Sequence, residues 1–362
     1  MDEVDEKVIG DIQRIIADHH RAVNDDRSLQ FWKSLGEKHA SLIKEAGFRN
    51  FKRTINFEYS QWGVTALRDP KTVNLLKKHL AERRWPTGMM RARFDGDDLD
   101  DIRWPDDIDA RTGTSTRAAT IGGRSRIRGY TAYCGLLWQY ASSHDALGCL
   151  SKVEEPALGN PLPVRYAGRL ISQDLALSSL ELNYIAANVP MRRIRRVLEI
   201  GAGYGRLAFL FSSMFPDIEY SILDIPPALA ISQHYLTSIF GAAATSDGLD
   251  DDGGSAARRR IRFMLPHRLA EIPDGHFDLV INISAFDEMS MTDVDGYLQA
   301  LDRVGSGWGY FQGHATSRKP GLRYGVDGFP YGKDWRQIDS RPHAVVPWFV
   351  EKIFQLKAGR RD

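Results

Sequence analysis

The sequence has little cysteine, no long apolar run and almost no excess of either charge. Its two cysteines, Cys134 and Cys149, are too few for a disulfide framework and do not have the spacing of a metal site. We expect both to be reduced thiols in a buried, helical segment. No stretch approaches the length of a membrane span, and the acidic start MDEVDEK lacks the basic-then-apolar pattern of a signal peptide. These absences predict a cytoplasmic protein with no membrane partner.

The balance of charge argues against nucleic acid as a partner. The 48 lysine and arginine residues are offset by 47 aspartate and glutamate residues, which leaves a formal charge of +1. Proteins that bind phosphate backbones usually carry a basic excess or a basic stripe. We therefore predict a small-molecule or glycoside partner and no nucleic acid.

The 362 residues are enough for two folding units. Residues 1–155 are predicted to be mainly helical, because Val8, Ile12 and Ile15 recur at helical spacing. The segment EEPALGNPLP (154–163) is rich in proline and glycine, so the boundary is placed there. The N-terminal region is expected to cover the site of an acceptor substrate, and a homodimer formed through it is an assembly that the sequence allows.

Residues 156–362 have the pattern of strands that alternate with helices. The predicted helices are YGRLAFLFSSMF, which stops at Pro216, and PPALAISQHYLTSIF, which has proline in its first turn. Such alternation predicts an α/β fold with a mostly parallel, doubly wound, Rossmann-like sheet. The predicted strands are RRVLEI (195–200), EYSIL (219–223), IRFMLP (261–266), FDLVINIS (277–284), WGYFQ (308–312) and a late strand or strand pair in AVVPWFVEKIF (344–354). Residues 241–260 are small, polar and glycine-rich, and are interpreted as a surface insertion.

A glycine-rich loop follows the first of these strands, in VLEIGAGYGRLAF (197–209). Gly201, Gly203 and Gly205 stand between a strand and a helix start, where the backbone turns sharply and can approach a ligand closely, with Ala202 between the first two. A dinucleotide fingerprint would need its third glycine at position 206, which is Arg206. S-adenosylmethionine carries an ammonium group and no phosphate, so a carboxylate beside the loop, Glu199, is chemically useful to it.

Asp224 ends the second strand, where an acid can accept hydrogen bonds from both ribose hydroxyls of a bound nucleoside. Ile225 follows it and is also predicted to line the cofactor site. The acid alone would suit NAD equally well, but together with the loop spacing it favours S-adenosylmethionine. A glycine turn that binds no ligand is the remaining alternative.

Polar residues follow three further strands of the predicted sheet. In open parallel sheets, ligands bind beyond the carboxyl ends of the strands. After the third strand, His267 is predicted to lie near the adenine, or else at the surface. Asn282 and Ser284 end the fourth strand and are predicted to line the cofactor site. His314 stands just past the fifth strand and is the candidate general base.

Asp287 and Glu288, in the loop after the fourth strand, are candidates for a catalytic role, with Glu288 preferred. The alternative is that both are solvated loop charges. They could also contribute ligands to Mg²⁺, but the spacing fixes no third carboxylate, so the sequence leaves a metal undecided.

With these residues assembled, the chain resembles a class I S-adenosylmethionine-dependent methyltransferase. More narrowly, it is similar to sugar O-methyltransferases of bacterial polysaccharide and natural-product glycoside pathways. The resemblance covers about residues 160–312 and depends on GRLISQDLALSSLE (168–181), VLEIGAGYGRLAFLF, YSILDIPPALAISQHYL (220–236) and NISAFDEM. It implies that Glu199, the loop glycines and Asp224 bind the cofactor, and that Glu288 lies near the acceptor. It also implies that the helix containing Ser172, Gln173 and Asp174 packs over the cofactor.

The acceptor is open at this stage. A sugar hydroxyl is the preferred acceptor, although Ala285 stands where the resemblance predicts serine. An amine, a phenol or a polyketide hydroxyl is an alternative, for which Trp62, Trp85 and Trp104 could supply an apolar pocket. Two further alternatives are an NAD(P)-dependent oxidoreductase and a subunit that binds the cofactor without turnover.

Overall fold

A computed structural model of the chain describes residues 2–23, 26–54, 69–96, 123–247, 260–316 and 325–356. Trp62, Trp104 and residues 248–259 of the predicted insertion lie outside these residues. None of the helices in the described ranges has the length and apolarity needed to cross a membrane.

The described elements alternate as the sequence predicts in the second half of the chain. The helices are α1 (Glu3–Val23), α2 (Asp26–Ala46), α3 (Pro70–Ala81), α4 (Gly88–Arg91), α5 (Gly123–Ser143), α6 (Cys149–Lys152), α7 (Gln173–Asn188), α8 (Arg206–Met214), α9 (Pro226–Phe240) and α10 (Met291–Val304). The strands are β1 (Ala92–Phe94), β2 (Val164–Tyr166), β3 (Arg169–Ile171), β4 (Arg196–Ile200), β5 (Glu219–Leu223), β6 (Thr245–Asp247), β7 (Ile261–Met264), β8 (Phe277–Ile283), β9 (Gly305–His314), β10 (Arg336–Pro342) and β11 (Phe349–Gln355).

The chain divides into two compact units. The first contains Met1–Gln13, Lys33–Asn183 and Ala344–Pro347, and the second contains Arg14–Trp32, Tyr184–His343 and Trp348–Asp362. The predicted boundary at residues 155 and 156 therefore falls inside the first unit. This happens because β2 pairs with β1, and β3 pairs with β2, which joins both strands to the first unit.

The first unit is mainly helical, as predicted, with a three-stranded antiparallel sheet in the order β1-β2-β3. Both cysteines lie in this unit, buried and free, as the composition predicts. A buried ion pair joins Lys52 Nζ to Glu155 Oε1 at 2.5 Å, and the hydroxyl of Ser172 donates to the other oxygen of Glu155 at 2.6 Å. The same hydroxyl accepts from the backbone N–H of Leu175 and so caps α7.

The second unit contains an eight-stranded sheet in the order β10-β11-β9-β8-β4-β5-β7-β6. All neighbouring strands are parallel except for β11, which is antiparallel to both β9 and β10. The Rossmann-like class predicted from the sequence is confirmed by this sheet. One face packs on α10, where Val294, Leu298 and Leu301 lie in one hydrophobic cluster with residues of β4, β8 and β9.

Two parts of this sheet differ from the prediction. The predicted late strand at 344–354 is β11, which begins at Phe349, and its partner β10 falls in a polar segment that has no strand pattern. The predicted insertion at 241–260 contributes an edge strand, β6, which pairs with β7 over Thr245–Asp247. Neither segment alternates clearly between apolar and polar residues. Both form strands because they hydrogen-bond to a neighbouring strand.

Candidate cofactor and active site

The glycine loop joins β4 to α8 through three glycines in a conformation that L side chains rarely adopt. The φ angles are +74° at Gly201, +60° at Gly203 and +89° at Gly205. A methyl group at Gly201 would lie 2.2 Å from Cβ of Ala285, and one at Gly205 would lie 2.9 Å from Cδ1 of Leu236. The loop therefore needs glycine both for its backbone and for its close packing. The amides of Gly201 and Gly205 donate to the carbonyls of Leu223 and Ala202, which fixes the turn.

Asp224 follows β5 and is hydrogen-bonded to this loop. Its Oδ2 accepts from the N–H of Gly203 at 2.9 Å, and its Oδ1 accepts from the N–H of Ile225, the N-cap of α9, at 2.7 Å. Asp224 is buried, with 7 % of its surface exposed. Burial raises the pKa of this carboxyl to about 7. The two backbone hydrogen bonds act in the opposite direction and lower the pKa, while the charge of Glu288 raises it. Since a carboxylate has about four acceptor positions, two backbone donors leave room for a diol.

Glu199 is buried in β4 beside the loop. Its Oε2 accepts from the hydroxyl of Tyr220 at 2.8 Å, and Tyr220 in β5 packs its ring 5.2 Å from that of Phe211 in α8. The sequence does not predict this contact with Tyr220. Its position becomes clear only when β4 and β5 are paired, because Tyr220 then lies opposite Val197. The contact of Glu199 with an ammonium group stays a prediction.

The end of β8 combines a fixed amide with a strained serine. Asn282 is buried, its Nδ2 donates to the carbonyl of Ile200 at 3.1 Å, and its Oδ1 accepts from the N–H of Phe286 at 3.4 Å. These contacts give Asn282 the role of holding the loop to β4, and a cofactor contact stays a prediction. Ser284 has φ of +59°, and its buried Oγ has no hydrogen-bond partner. A strained residue with an orphaned polar atom is typical of a ligand site.

Asp287 and His314 are brought together from two neighbouring strands. Asp287 Oδ2 lies 3.0 Å from His314 Nδ1 and accepts from the backbone N–H of His314 at 2.9 Å. A Cβ at Gly313 would lie 2.7 Å from both carboxylate oxygens of Asp287, so glycine at that position makes the approach possible. The ring of His314 also packs edge-on against Phe349, with 4.6 Å between centroids. A histidine held at Nδ1 by a carboxylate has its Nε2 available to accept a proton.

Glu288 follows Asp287 in the same loop. It is exposed, and its charge raises the pKa of Asp224. The sequence favours Glu288 over Asp287 as the catalytic acid, whereas in the structure Asp287 makes the contact with His314. Tyr297 in α10, which the sequence analysis also missed, has a pKa raised by burial and by the charge of Asp224.

His267 lies in a short 3-10 helix, Pro266–Glu271, that follows β7. Its Nδ1 is buried without a hydrogen-bond partner, and its ring lies 6.0 Å from that of His19 in α1. Burial lowers its pKa, and the charge of Arg268 lowers it further. His267 is thus a partly buried residue at the carboxyl end of β7, with a pKa below its usual value.

Two further predictions concern metal and aromatic residues. Among the residues that the structure describes, no group of three histidine, cysteine, aspartate or glutamate side chains could hold a metal ion. Trp85, proposed as part of an apolar acceptor pocket, is 79 % exposed. It therefore does not line an enclosed pocket within the first unit.

Comparisons with known proteins find similarity in structure only. No family model matches the sequence, and no curated protein matches it. A proposed sarcosine dimethylglycine methyltransferase from Galdieria sulphuraria matches 51 % of this chain and 85 % of its own, with 13 % identity and a TM-score of 0.39. The [4+2]-cyclase SpnF matches 52 % and 84 % with 14 % identity and a TM-score of 0.38, and the mitomycin 7-O-methyltransferase MmcR matches 50 % and 56 % with 17 % identity and a TM-score of 0.34. At such identities and scores the likeness carries no conclusion about activity.

Proposed function

We propose that this chain binds S-adenosylmethionine and transfers its methyl group to a hydroxyl of a sugar, in a small-molecule glycoside or a glycan precursor. The observation that carries the proposal is the hydrogen bond from Gly203 to Asp224, which joins the glycine loop and the acid after β5 into one cradle. The pair of Asp287 and His314 follows the neighbouring strands β8 and β9 at the same edge of the sheet.

The residues of the cradle fit this cofactor better than a dinucleotide. Arg206 stands where a dinucleotide fingerprint needs glycine, and the acid beside the loop is Glu199. An acidic group there suits an ammonium, whereas it opposes a pyrophosphate. The orphaned Oγ of Ser284 adds a polar partner for a bound molecule.

The chemistry requires a base beside the cradle. S-adenosylmethionine supplies an electrophilic methyl group on a sulfonium. An alcohol is a poor nucleophile near neutral pH, so removal of its proton assists the displacement. Nε2 of His314 would accept the hydroxyl proton, and S-adenosylmethionine would supply the methyl group to the hydroxyl oxygen and leave as S-adenosylhomocysteine. Asp287 holds the imidazole and stabilises its protonated form.

The sugar acceptor depends on the resemblance of the sequence. A methyltransferase with an amine, phenol or polyketide hydroxyl as acceptor is the alternative that keeps the same cradle. An NAD(P)-dependent oxidoreductase is the alternative that does not, because it would have to accommodate Arg206.

The test is a calorimetric titration of S-adenosylmethionine, S-adenosylhomocysteine, NAD and NADP into the purified chain. We expect micromolar binding of the first two, strongly weakened in Asp224→Ala and unchanged in Asp334→Ala, where an exposed acid outside the cradle is removed. Binding of a nicotinamide cofactor alone would overturn the proposal. A screen of sugars, phenols and amines that measures release of S-adenosylhomocysteine then decides between the acceptors.

A further inference from the structure

A cavity of about 310 Å³ lies in the second unit, at the carboxyl end of β7. This volume is at the lower end of the roughly 300–1,000 Å³ that is typical of pockets for small molecules. Its walls come from three elements: the second half of α1, the helix α9, and the segment that continues β7 into the 3-10 helix. The lining residues include Ile15, Asp18, Leu229, Phe263, Met264 and His267.

This cavity adjoins Asp224, the acid of the cradle, through one of its lining residues. The backbone N–H of Asp224 donates to the carbonyl of Met264 at 3.2 Å, so the floor of the cavity is hydrogen-bonded to Asp224. The N–H of Leu229, on its wall, donates to the carbonyl of Ile225 at 2.9 Å. A nucleoside whose ribose is held by Asp224 therefore has this cavity within reach of its base.

The residues that line the cavity suit a purine base, with apolar side chains for the faces of the ring and polar atoms for its edge. Ile15, Leu229 and Phe263 are almost fully buried and offer apolar surface to the faces of a ring. The polar atoms are gathered at one side, with the buried, unpartnered Nδ1 of His267 and the half-exposed carboxylate of Asp18. Asp18 is held by Arg21, one turn further along α1, and by Arg14 at 3.9 Å. Its oxygens retain further acceptor positions.

We propose that α1 closes a purine pocket of the cofactor site and that Asp18 is the residue that selects adenine, by accepting a hydrogen bond from its exocyclic amine. This inference depends on the proposed binding of S-adenosylmethionine. It assigns to the N-terminal helix, which lies outside the resemblance in sequence, a direct contact with the cofactor. His267, on the same side of the cavity as Asp18, offers its Nδ1 to a ring nitrogen of the base.

The experiment compares S-adenosylhomocysteine with S-inosylhomocysteine, in which an oxo group replaces the amine. An oxo group places an acceptor against the carboxylate of Asp18, so the wild-type chain is expected to prefer the adenosyl compound by about 100-fold or more. In Asp18→Asn the amide can either donate or accept, and we expect the preference to fall below about tenfold. Glu6→Gln removes an exposed acid of the same helix that does not line the cavity, and should keep the wild-type ratio.

Because the readout is a ratio of two affinities in one variant, a partly unfolded sample lowers both and leaves the ratio unchanged. Asp18→Ser provides a second variant with the same expectation. An unaltered ratio in both variants, with normal binding of S-adenosylhomocysteine, would overturn the role of Asp18 and leave the proposed function standing. Failure of the wild-type chain to bind S-adenosylhomocysteine would overturn the proposed function itself.

Discussion

A single carboxylate oxygen of Asp287, Oδ2, lies 3.0 Å from the ring Nδ1 of His314 and 2.9 Å from its backbone nitrogen. Two contacts to one residue fix both the position of the imidazole and its orientation. When the carboxylate is ionised, Nδ1 carries the proton and Nε2 is the free acceptor. This arrangement of a base with its orienting group is the one that general-base catalysis requires.

The first prediction concerns this pair. His314→Gln should lower kcat by about 10²–10⁴-fold, since the proton acceptor is lost. The affinity for S-adenosylhomocysteine should stay within about twofold, because the loss affects only the transition state. Asp287→Asn should lower kcat less and should shift the ring proton between the two nitrogens, which ¹⁵N spectra of labelled histidine detect. Equal turnover in wild type and His314→Gln would rule out the assignment.

The second prediction concerns the charge of Asp224. With a pKa of about 7, this carboxyl is about half protonated at pH 7 before binding. A ribose diol donates hydrogen bonds to the carboxylate, so binding lowers its pKa and releases about half a proton at pH 7. Affinity should therefore rise with pH up to about 8 and fall by up to tenfold per unit below about 6.

Calorimetry of S-adenosylhomocysteine binding in buffers of different ionisation enthalpy measures this proton directly. Asp224→Asn removes the titrating group and should abolish both the proton release and the pH dependence. A wild-type affinity that does not change between pH 6 and pH 8 would contradict the contact between Asp224 and the ribose.

Local pattern is sufficient to predict the glycine turn and the acid that ends the next strand, but not the contacts made through sheet register. The spacing of Gly201, Gly203 and Gly205 after a strand determines a turn, and Asp224 ends the next strand, so neighbouring residues carry the signal. Asp287 and His314 were both predicted as candidates, yet their contact depends on β8 lying beside β9, which no single segment encodes. The edge strand β10 has an exposed, polar sequence and forms because β11 offers it hydrogen bonds.

The third prediction concerns the packing of the glycine loop. In Gly201→Ala, a side chain is forced into a φ of +74° and against Cβ of Ala285. We expect a loss of about 2–4 kcal/mol in the free energy of unfolding, from backbone strain and overpacking together. The double variant with Ala285→Gly should recover the packing part and leave the backbone part. Gly296→Ala is the matched control, because its Cβ meets no atom within 4 Å in α10 and should not destabilise. Urea denaturation of the four proteins gives the comparison, and a Gly201→Ala chain as stable as wild type would contradict it.

The last prediction concerns a buried acid at the other end of the sheet. Glu351 in β11 is 1 % exposed, and its Oε2 accepts from Nε of Arg341 at 2.8 Å, while the hydroxyl of Tyr310 donates to Oε1 at 2.8 Å. Arg341→Met removes the cation but leaves the carboxylate in the sheet, and a buried charge that loses its partner is costly. Because the side chain of Arg341 is 40 % exposed, we expect a loss of about 2 kcal/mol in the free energy of unfolding, below the range for fully buried pairs.

The double variant Arg341→Met, Glu351→Gln removes both charges, so it should be more stable than Arg341→Met alone. Arg336→Met is the control, since Arg336 is exposed on the same strand and donates to the neutral amide of Gln355. If the double variant is no more stable than Arg341→Met, the loss comes from packing of the arginine over the ring of Tyr184, 3.7 Å away, and not from the charge of Glu351.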